Sequence, residues 1–486
     1  LLTIGTAAPI GCGLLLAPCV PGHAQDNAEA DAAARNAAQQ RVKPAPPPAC
    51  LPAAHRSTNP ASREQPRMQS RTVSPELQAV SDRAYLYAYG IDEAYKHLYK
   101  TLVEPDCPAN RFQIIRHLAD DKYTAHVSIN NDTLHLMGWL DVAAEPVIVS
   151  VPDHDDGRYW VLHTMDMGHY TTTMLGKRTR GPKGGRFMFA NRTWKGDVPD
   201  GITEVIRVES NFIKLMGRVM ATGVEDEKKA LTYVDDWNIR TLSEFLGQNG
   251  PKPKVRKFVP ASGNSWLERV NFVLADSTMA TADAHWLEGL EASGIGAGKV
   301  DFTPEQLAAA EISEQHVIEK LKETLPTLTN ASDALGTREQ LGTADRIPFQ
   351  VATYIGQWGA PPVEASYIQM IRDQNGDALV GTHDYTITFI PPKVSQFWSV
   401  TAYGSKTKLM IANDLNRHSR GDRHVKPNAD GTVTLRLSHD TKGKAEDTNF
   451  LPVPNENFYL LLRMYGGDED VQAGRFPVPV VRKVDR

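Results

Sequence analysis

Two carboxylates and a scatter of arginines have the types and positions for chemistry in this chain. Asp132 follows Asn130-Asn131 and precedes the strand-like run that begins at Thr133. A carboxylate on such a sheet rim is partly desolvated, which raises its pKa and suits it to act as a general base or a cation ligand. The bland use of Asn131 and Asp132 is to cap a turn with their side chains, and for these residue types it is the commoner one. Asp166 lies in the segment HTMDMGH between His163 and His169. On a continuous strand Asp166 points away from His163, and the two histidines stand about 20 Å apart. They meet on one metal only if the chain bends at Gly168, so no metal site is expected. Arg178, Arg417 and Arg463 offer charge-assisted donors to an anion. Arg463 is the most telling, because it sits in the apolar strand FYLLLRMY, where a charge must be paired. Asn131 and Asn413 add amide groups, and Trp398 and Tyr403 add aromatic wall, although aromatics on strands serve the core more often.

Several chemistries are excluded by what is missing. There is no G-x-S-x-G elbow, no H-E-x-x-H, no S-x-x-K in a suitable context and no dinucleotide fingerprint. Gly294 to Lys299 resembles a phosphate loop only superficially, since the spacing fails and Val300 replaces the required hydroxyl, and a turn between helices is expected there. The four cysteines form no C-x-x-C and no Cys/His ligand spacing, so neither structural zinc nor another cofactor is implied. With a net charge of -5 over 486 residues, the chain has no basic footprint for nucleic acid or a membrane surface.

Positioning these residues requires a framework, and the period of the sequence supplies one. At 41% hydrophobic and 23% charged the chain can bury a sizeable core, and its length suggests two to three domains. Residues 1–24 carry no Lys, Arg, Asp or Glu and end in Gly22-His23-Ala24, which reads as a truncated export signal. Residues 25–73 are rich in Ala, Gln, Pro and Arg and read as a disordered spacer. An exported chain would let Cys50 and Cys107 oxidise. Ser74-Pro75 caps an amphipathic helix through Leu98. Short runs at Thr133–Leu140, Val147–Val151, Tyr159–Asp166, Arg186–Ala190 and Glu204–Val208 then read as strands of a sandwich, with Asp153–Gly157 as a hairpin turn. From Phe212 the period reads as helical through Leu215, Val219 and Ala230, with further helices after Asp283 and Thr303, all expected to pack across two β units. The β pattern resumes at Tyr385 to Phe389 and Phe397 to Tyr403, then at Thr432–Leu437 behind an Asp430-Gly431 hairpin signal, at Asn457–Tyr465 and at Pro477–Val481.

Asn131-Asp132-Thr133-Leu134, Glu145-Pro146, Arg158-Tyr159, Asp166, Gly176-Lys177-Arg178-Thr179, Trp194-Lys195-Gly196 and Gly217-Arg218 together resemble the signature of the bacterial domain of unknown function 1254. Phe397-Trp398-Ser399-Val400-Thr401, Asn413, Asn416-Arg417, Asp430-Gly431, Asn449-Phe450-Leu451-Pro452 and Leu462-Arg463-Met464-Tyr465 are similar to its usual partner, domain of unknown function 1214. His135 stands where the family commonly has Tyr, and Phe450 where it has Trp. The resemblance implies a periplasmic or secreted protein, a possible homo-oligomer, and no established reaction.

The fold expected is therefore mainly β with helices (α+β): a helix plus β-sandwich over 74–211, a helical connection over 212–345 and a second sandwich over 346–486, both jelly-roll-like. The function expected is binding of a small polar or anionic ligand in a β-sandwich cavity. Alternatives are a hydrolase or lyase without a covalent nucleophile, using Asp132 or Asp166 as base, and a structural or surface-interaction protein.

Overall fold

The computed structural model describes residues 73–484 except 125, 328–333 and 343. The expected export signal, nearly all of the expected spacer, and Cys50 lie outside the described residues. Helix α1 (Pro75–Leu98) begins as its sequence dictates: the Ser74 hydroxyl accepts the Leu77 N–H at 3.3 Å, and Pro75 occupies the first turn. It is buried almost all round, with Tyr85, Tyr87, Ala88, Ile91, Tyr95 and Leu98 at 2% exposure or less.

The first sandwich is built from β1 (Gln113–Ile115), β2 (Thr133–Asp141), β3 (Val147–Val151), β4 (Trp160–Met165), β5 (Thr171–Gly176), β6 (Gly185–Asn191), β7 (Glu204–Val208), β8 (Phe212–Met220) and β9 (Asn238–Thr241). Sheet I runs β1-β2-β8-β4-β5, and sheet II runs β7-β6-β3-β9. Leu134, Leu136, Leu162 and Val219 of sheet I meet Val149, Phe187 and Phe189 of sheet II in their shared core.

Residues 212–220 are a strand, not the start of a helical region, and β8 lies at the centre of sheet I between β2 and β4. The helical reading rested on Leu215 and Val219, four residues apart, a spacing that a helix face and a strand face share. Helix α2 (Gly223–Asp236) begins only afterwards. Asp153–Gly157 is likewise no hairpin turn, because it carries the chain from β3 in sheet II to β4 in sheet I.

Helices α3 (Trp266–Ala275), α4 (Pro304–Thr324) and α5 (Arg346–Ile355) form a layer with α1. This layer does not span both β units as expected: the strand-end residues in its apolar cluster, Trp139, Met165, Met167 and Phe212, all come from the first sandwich. Inside the layer Asp92, with a fully buried side chain, accepts from Arg269 Nε at 2.5 Å and Nη2 at 2.9 Å, and pairs with Lys96 at 2.7 Å.

The second sandwich comprises β10 (Ala365–Met370), β11 (Asp384–Phe389), β12 (Val394–Gly404), β13 (Ser419–Gly421), β14 (Val433–Ser438), β15 (Phe450–Pro452), β16 (Phe458–Gly467) and β17 (Val481–Val484). Sheet III runs β10-β16-β12-β13, and sheet IV runs β15-β14-β11-β17. The Asp430-Gly431 turn forms, with Asp430 accepting the Thr432 N–H at 3.0 Å, yet it joins strands of different sheets. The protein is thus mixed α and β, two sandwich units joined by a helical region.

The buried Asp92–Arg269 pair makes a direct stability prediction. Asp92→Ala strands a buried guanidinium and should cost about 3–5 kcal/mol in urea unfolding. Arg116→Ala breaks a pair with Asp235 whose side chains are 53% and 50% exposed, and should cost less than about 1 kcal/mol.

Candidate functional site

A strand presents alternate residues to opposite faces, and in sheet I both faces are covered. Leu134, Leu136, Leu162, Leu215 and Val219 face sheet II, so His135, His163 and Arg218 face the other way, toward sheet III. In β12 the residues Trp398, Val400 and Ala402 face the core of the second sandwich, and in β16 so do Leu460, Leu462 and Met464. Ser399, Thr401, Tyr403, Arg463 and Tyr465 consequently face sheet I.

Two apolar clusters span the space between the sheets. One joins Tyr159 and Val161 to Ala365, Phe397 and Tyr465. The other joins Met137 to Tyr403 and Tyr459. Between them lies a polar stretch to which both sheets contribute, threaded by residues 128–132.

On the sheet III side, Arg463 is 3% exposed. Its Nη1 donates to Thr401 Oγ1 at 3.1 Å, and its Nη2 donates to the Ser128 carbonyl at 2.5 Å and to Tyr403 Oη at 2.8 Å. All these acceptors are neutral. Tyr403 Oη donates a hydrogen bond to the Ile129 carbonyl at 2.6 Å, and burial pushes its hydroxyl up to about 12, so it stays a neutral phenol.

Asp132 is 1% exposed and fully engaged. Its Oδ2 accepts from Ser399 Oγ at 2.6 Å, and its Oδ1 accepts from Arg423 Nη2 at 2.6 Å. The turn-capping expected of Asn131 and Asp132 is performed instead by Asn130, whose Oδ1 accepts from the Asp132 and Thr133 N–H groups and the Thr133 hydroxyl. Asn131 bridges outward, from Nδ2 to the Ala119 carbonyl at 2.6 Å and from Ser419 Oγ to its Oδ1 at 3.3 Å. At the edge of the layer Arg178 Nε donates to Glu364 at 2.7 Å, and Tyr159 donates to the other oxygen of Glu364 at 2.7 Å.

On the sheet I side the polar groups are less satisfied. His135 is the cross-strand partner of Arg218, and Arg218 that of Val161. Strand geometry puts His135 and Arg218 about 4.5–5.5 Å apart at Cα. It puts His163 about 7–8 Å away on the diagonal. The buried atoms His135 Nδ1, His163 Nδ1 and Arg218 Nε have no hydrogen-bond partner, while His163 Nε2 lies 3.0 Å from Thr171 Oγ1. Burial lowers His163 to about 3 and takes His135 well below its ordinary value, with Arg218 adding to both shifts. Arg218, Met174, Met220 and Tyr367 are half-buried, which marks where the layer reaches solvent. Among the described residues, no group of three or more His, Cys, Asp or Glu is placed to hold a metal ion.

The layer therefore gathers Asn131, Asp132, Tyr403 and Arg463, with Arg178 at its edge. Four other expected residues lie elsewhere. Trp398 faces the sandwich core, because alternation gives its neighbours Phe397 and Ser399 to the layer. Asn413 and Arg417 pin their own loop: Arg417 N–H donates to Asn413 Oδ1, and the guanidinium donates to the carbonyls of Asp447, Phe450 and Ala445. Asp166 sits in the turn between β4 and β5, accepting from the Gly168 and Tyr170 N–H groups and from Arg338 at 2.6 Å, against the helical layer. His135, Arg218 and Ser399 entered only through the family resemblance, His163 only as a metal ligand that was set aside, and Glu364 not at all. The available signal was K-M-R-M at alternate positions of β8, a cationic face opposite Ile213, Leu215 and Val219.

Comparison with known proteins fits this architecture. The family model "Protein of unknown function (DUF1254)" matches residues 109–241, and "Protein of unknown function (DUF1214)" matches residues 364–469, so the polar layer lies where the two regions meet. No curated protein matches. The crystal structure of the VPA0106 protein from Vibrio parahaemolyticus is similar at 53% sequence identity and a TM-score of 0.78, over 84% of this chain and 100% of that one. An uncharacterised protein from Burkholderia cenocepacia matches at 14% identity and a TM-score of 0.43, over 84% of this chain and 94% of that one. At 53% identity to the Vibrio protein along that protein's whole length, and with both models matched in order, this chain belongs to the family that pairs DUF1254 with DUF1214.

Proposed function

We propose that this is an exported protein that binds a small anionic ligand in the polar layer between its two sandwiches. The observation that carries the reading is an imbalance of charge. The layer pairs Arg423 with Asp132 and Arg178 with Glu364, yet Arg463 and Arg218 make no ion pair among the described residues. A guanidinium cannot shed its proton, so one that is buried or half-buried without a directly paired carboxylate favours a bound anion. Arg463 comes from one sandwich and Arg218 from the other, so the ligand would also tie the two together. Export is supported by the leader-like residues 1–24 and by Cys107, which is disulfide-bonded, a state that oxidising compartments favour.

The general-base alternative draws no support from Asp132. Both its oxygens are held by strong donors, and a carboxylate so occupied is a poor proton acceptor. A purely structural layer would be expected to pair all its cations, as it does two of them.

Thermal-shift titration of the protein with acetate, malonate, citrate and phosphate tests the reading. A ligand at about 100 times its dissociation constant should stabilise by about 2.7 kcal/mol. Arg218→Ala, at a half-buried position, should remove the shift with the fold intact, and Asp132→Asn should retain it. Absence of any shift across the panel, or a shift unchanged in Arg218→Ala, would sink the proposal.

The neutral histidines give the layer a pH dependence. Above about pH 6.5 neither the folded nor the unfolded chain protonates them, and their full stability is present. Below it the unfolded chain takes up protons that the folded chain refuses, so stability falls with pH. For His163 the loss at pH 5 should be about 2 kcal/mol, and His163→Phe should lose correspondingly less between pH 7 and pH 5.

A further inference from the structure

We infer that the outer face of sheet IV is the surface on which two copies of this chain pair face to face. The inner face is accounted for, since Ile387 and Phe389 of β11, Leu435 and Leu437 of β14 and Val481 of β17 fill the core of the second sandwich. Alternation turns Thr388 of β11, Thr434 and Arg436 of β14, and Arg482 and Val484 of β17 to the other side. An open face of an antiparallel sheet normally reads polar. Here Ile390, just past β11, is 74% exposed, and Val484 is 40% exposed. The alternation continues upstream of β17, with Pro479 buried and Val480 and Val478 exposed at 47% and 61%. Four large β-branched side chains thus lie open on one sheet face, more than an unpartnered face of a soluble protein requires.

The polar groups among them are largely satisfied within the chain, so covering the face strands few of them. The Thr388 and Thr434 hydroxyls bond each other across the strands at 2.9 Å, Asn428 Nδ2 donates to Thr434 at 2.9 Å, and Arg436 Nε donates to Asp447 at 2.5 Å. Shape and charge then name the occupant. Sheets pack face to face with their strands nearly aligned, and a two-fold pair lays one surface on its own copy. The face also carries both signs, with Arg482 opposite Thr386 and Asp384 opposite Val484 on the adjacent strand. A two-fold axis between the copies sets each Arg482 against the other copy's Asp384. An anionic lipid surface would call for cations alone.

Sedimentation velocity of the full chain over a wide concentration range tests this, and a dimer that dissociates on dilution is the expected result. Val480→Asp and Ile390→Asp each place a charge inside the interface and should weaken the dimer at least about tenfold. Val255→Asp, at a valine 96% exposed in the segment before α3, should leave it unchanged. Arg482→Asp should weaken it too, and adding Asp384→Arg should restore it. Circular dichroism and the melting temperature check that each variant folds. A chain that stays monomeric throughout overturns the inference, whether hydrogen exchange finds β11 and β17 open or covered by another part of the same chain. A dimer that survives both Val480→Asp and Ile390→Asp has its interface elsewhere and overturns it as well.

Discussion

Sheet I is buried on both faces, and the rest of the structure follows from that. One face is the apolar wall of a sandwich, so every polar side chain on the other must find a partner away from bulk water. That second face is divided along its length: helices cover the end bearing Trp139, Met165 and Lys214, and sheet III covers the end bearing Arg218 and His135. The two cations of β8 lie four residues apart under these different covers. Lys214, 4% exposed above the Trp139 ring, is drawn down to about 7 by burial and can lose its charge. Arg218 has no such escape. Charge is therefore concentrated at the sheet III end, where a second arginine meets it from the other sandwich.

Much of this frame was legible in the sequence. Strand period and turn residues located most strands closely, and Ser74-Pro75 and Thr303-Pro304 marked two helix starts that the capping bonds bear out. Arg463 stood out because a charge inside FYLLLRMY has no bland explanation. Its counterpart did not stand out, and the reason lies in β8. With Leu215 and Val219 read as a helix face, Arg218 and His135 entered only through the family motif, and nothing in the sequence paired them across two strands. A single period assignment thus concealed half the site.

The residues that fell outside the layer mislead for a different reason. Asp166, Asn413 and Arg417 stood out as polar types able to do chemistry, and residue type marks a group that must be satisfied without saying by what. Asn413 and Arg417 are consumed by carbonyls and amides of their own and neighbouring loops, and Asp166 by a turn and by Arg338. Trp398 differs from Phe397 by one position, and one position on a strand is a change of face. Sequence identifies the pair but cannot say which of them the core will take.

The arginines themselves argue that the layer does more than join two sandwiches. Replacing a buried ion by a well-packed apolar residue is often neutral or stabilising, so a joint that only needed to hold could have been closed with more of the packing already present in the two flanking clusters. Those clusters stack Phe397 on Tyr465 at 4.3 Å and Tyr403 on Tyr459 at 5.3 Å, and together they already join the sheets. The polar stretch between them interrupts this packing, contributes two guanidiniums that make no direct ion pair among the described residues and leaves His163 Nδ1 buried without a hydrogen-bond partner. Each of those features costs stability on its own. Arg218 and His163 lie on one face of sheet I, Arg463 faces them from sheet III, and a small anion entering at the half-buried edge beside Arg218 would meet positive charge from both sandwiches.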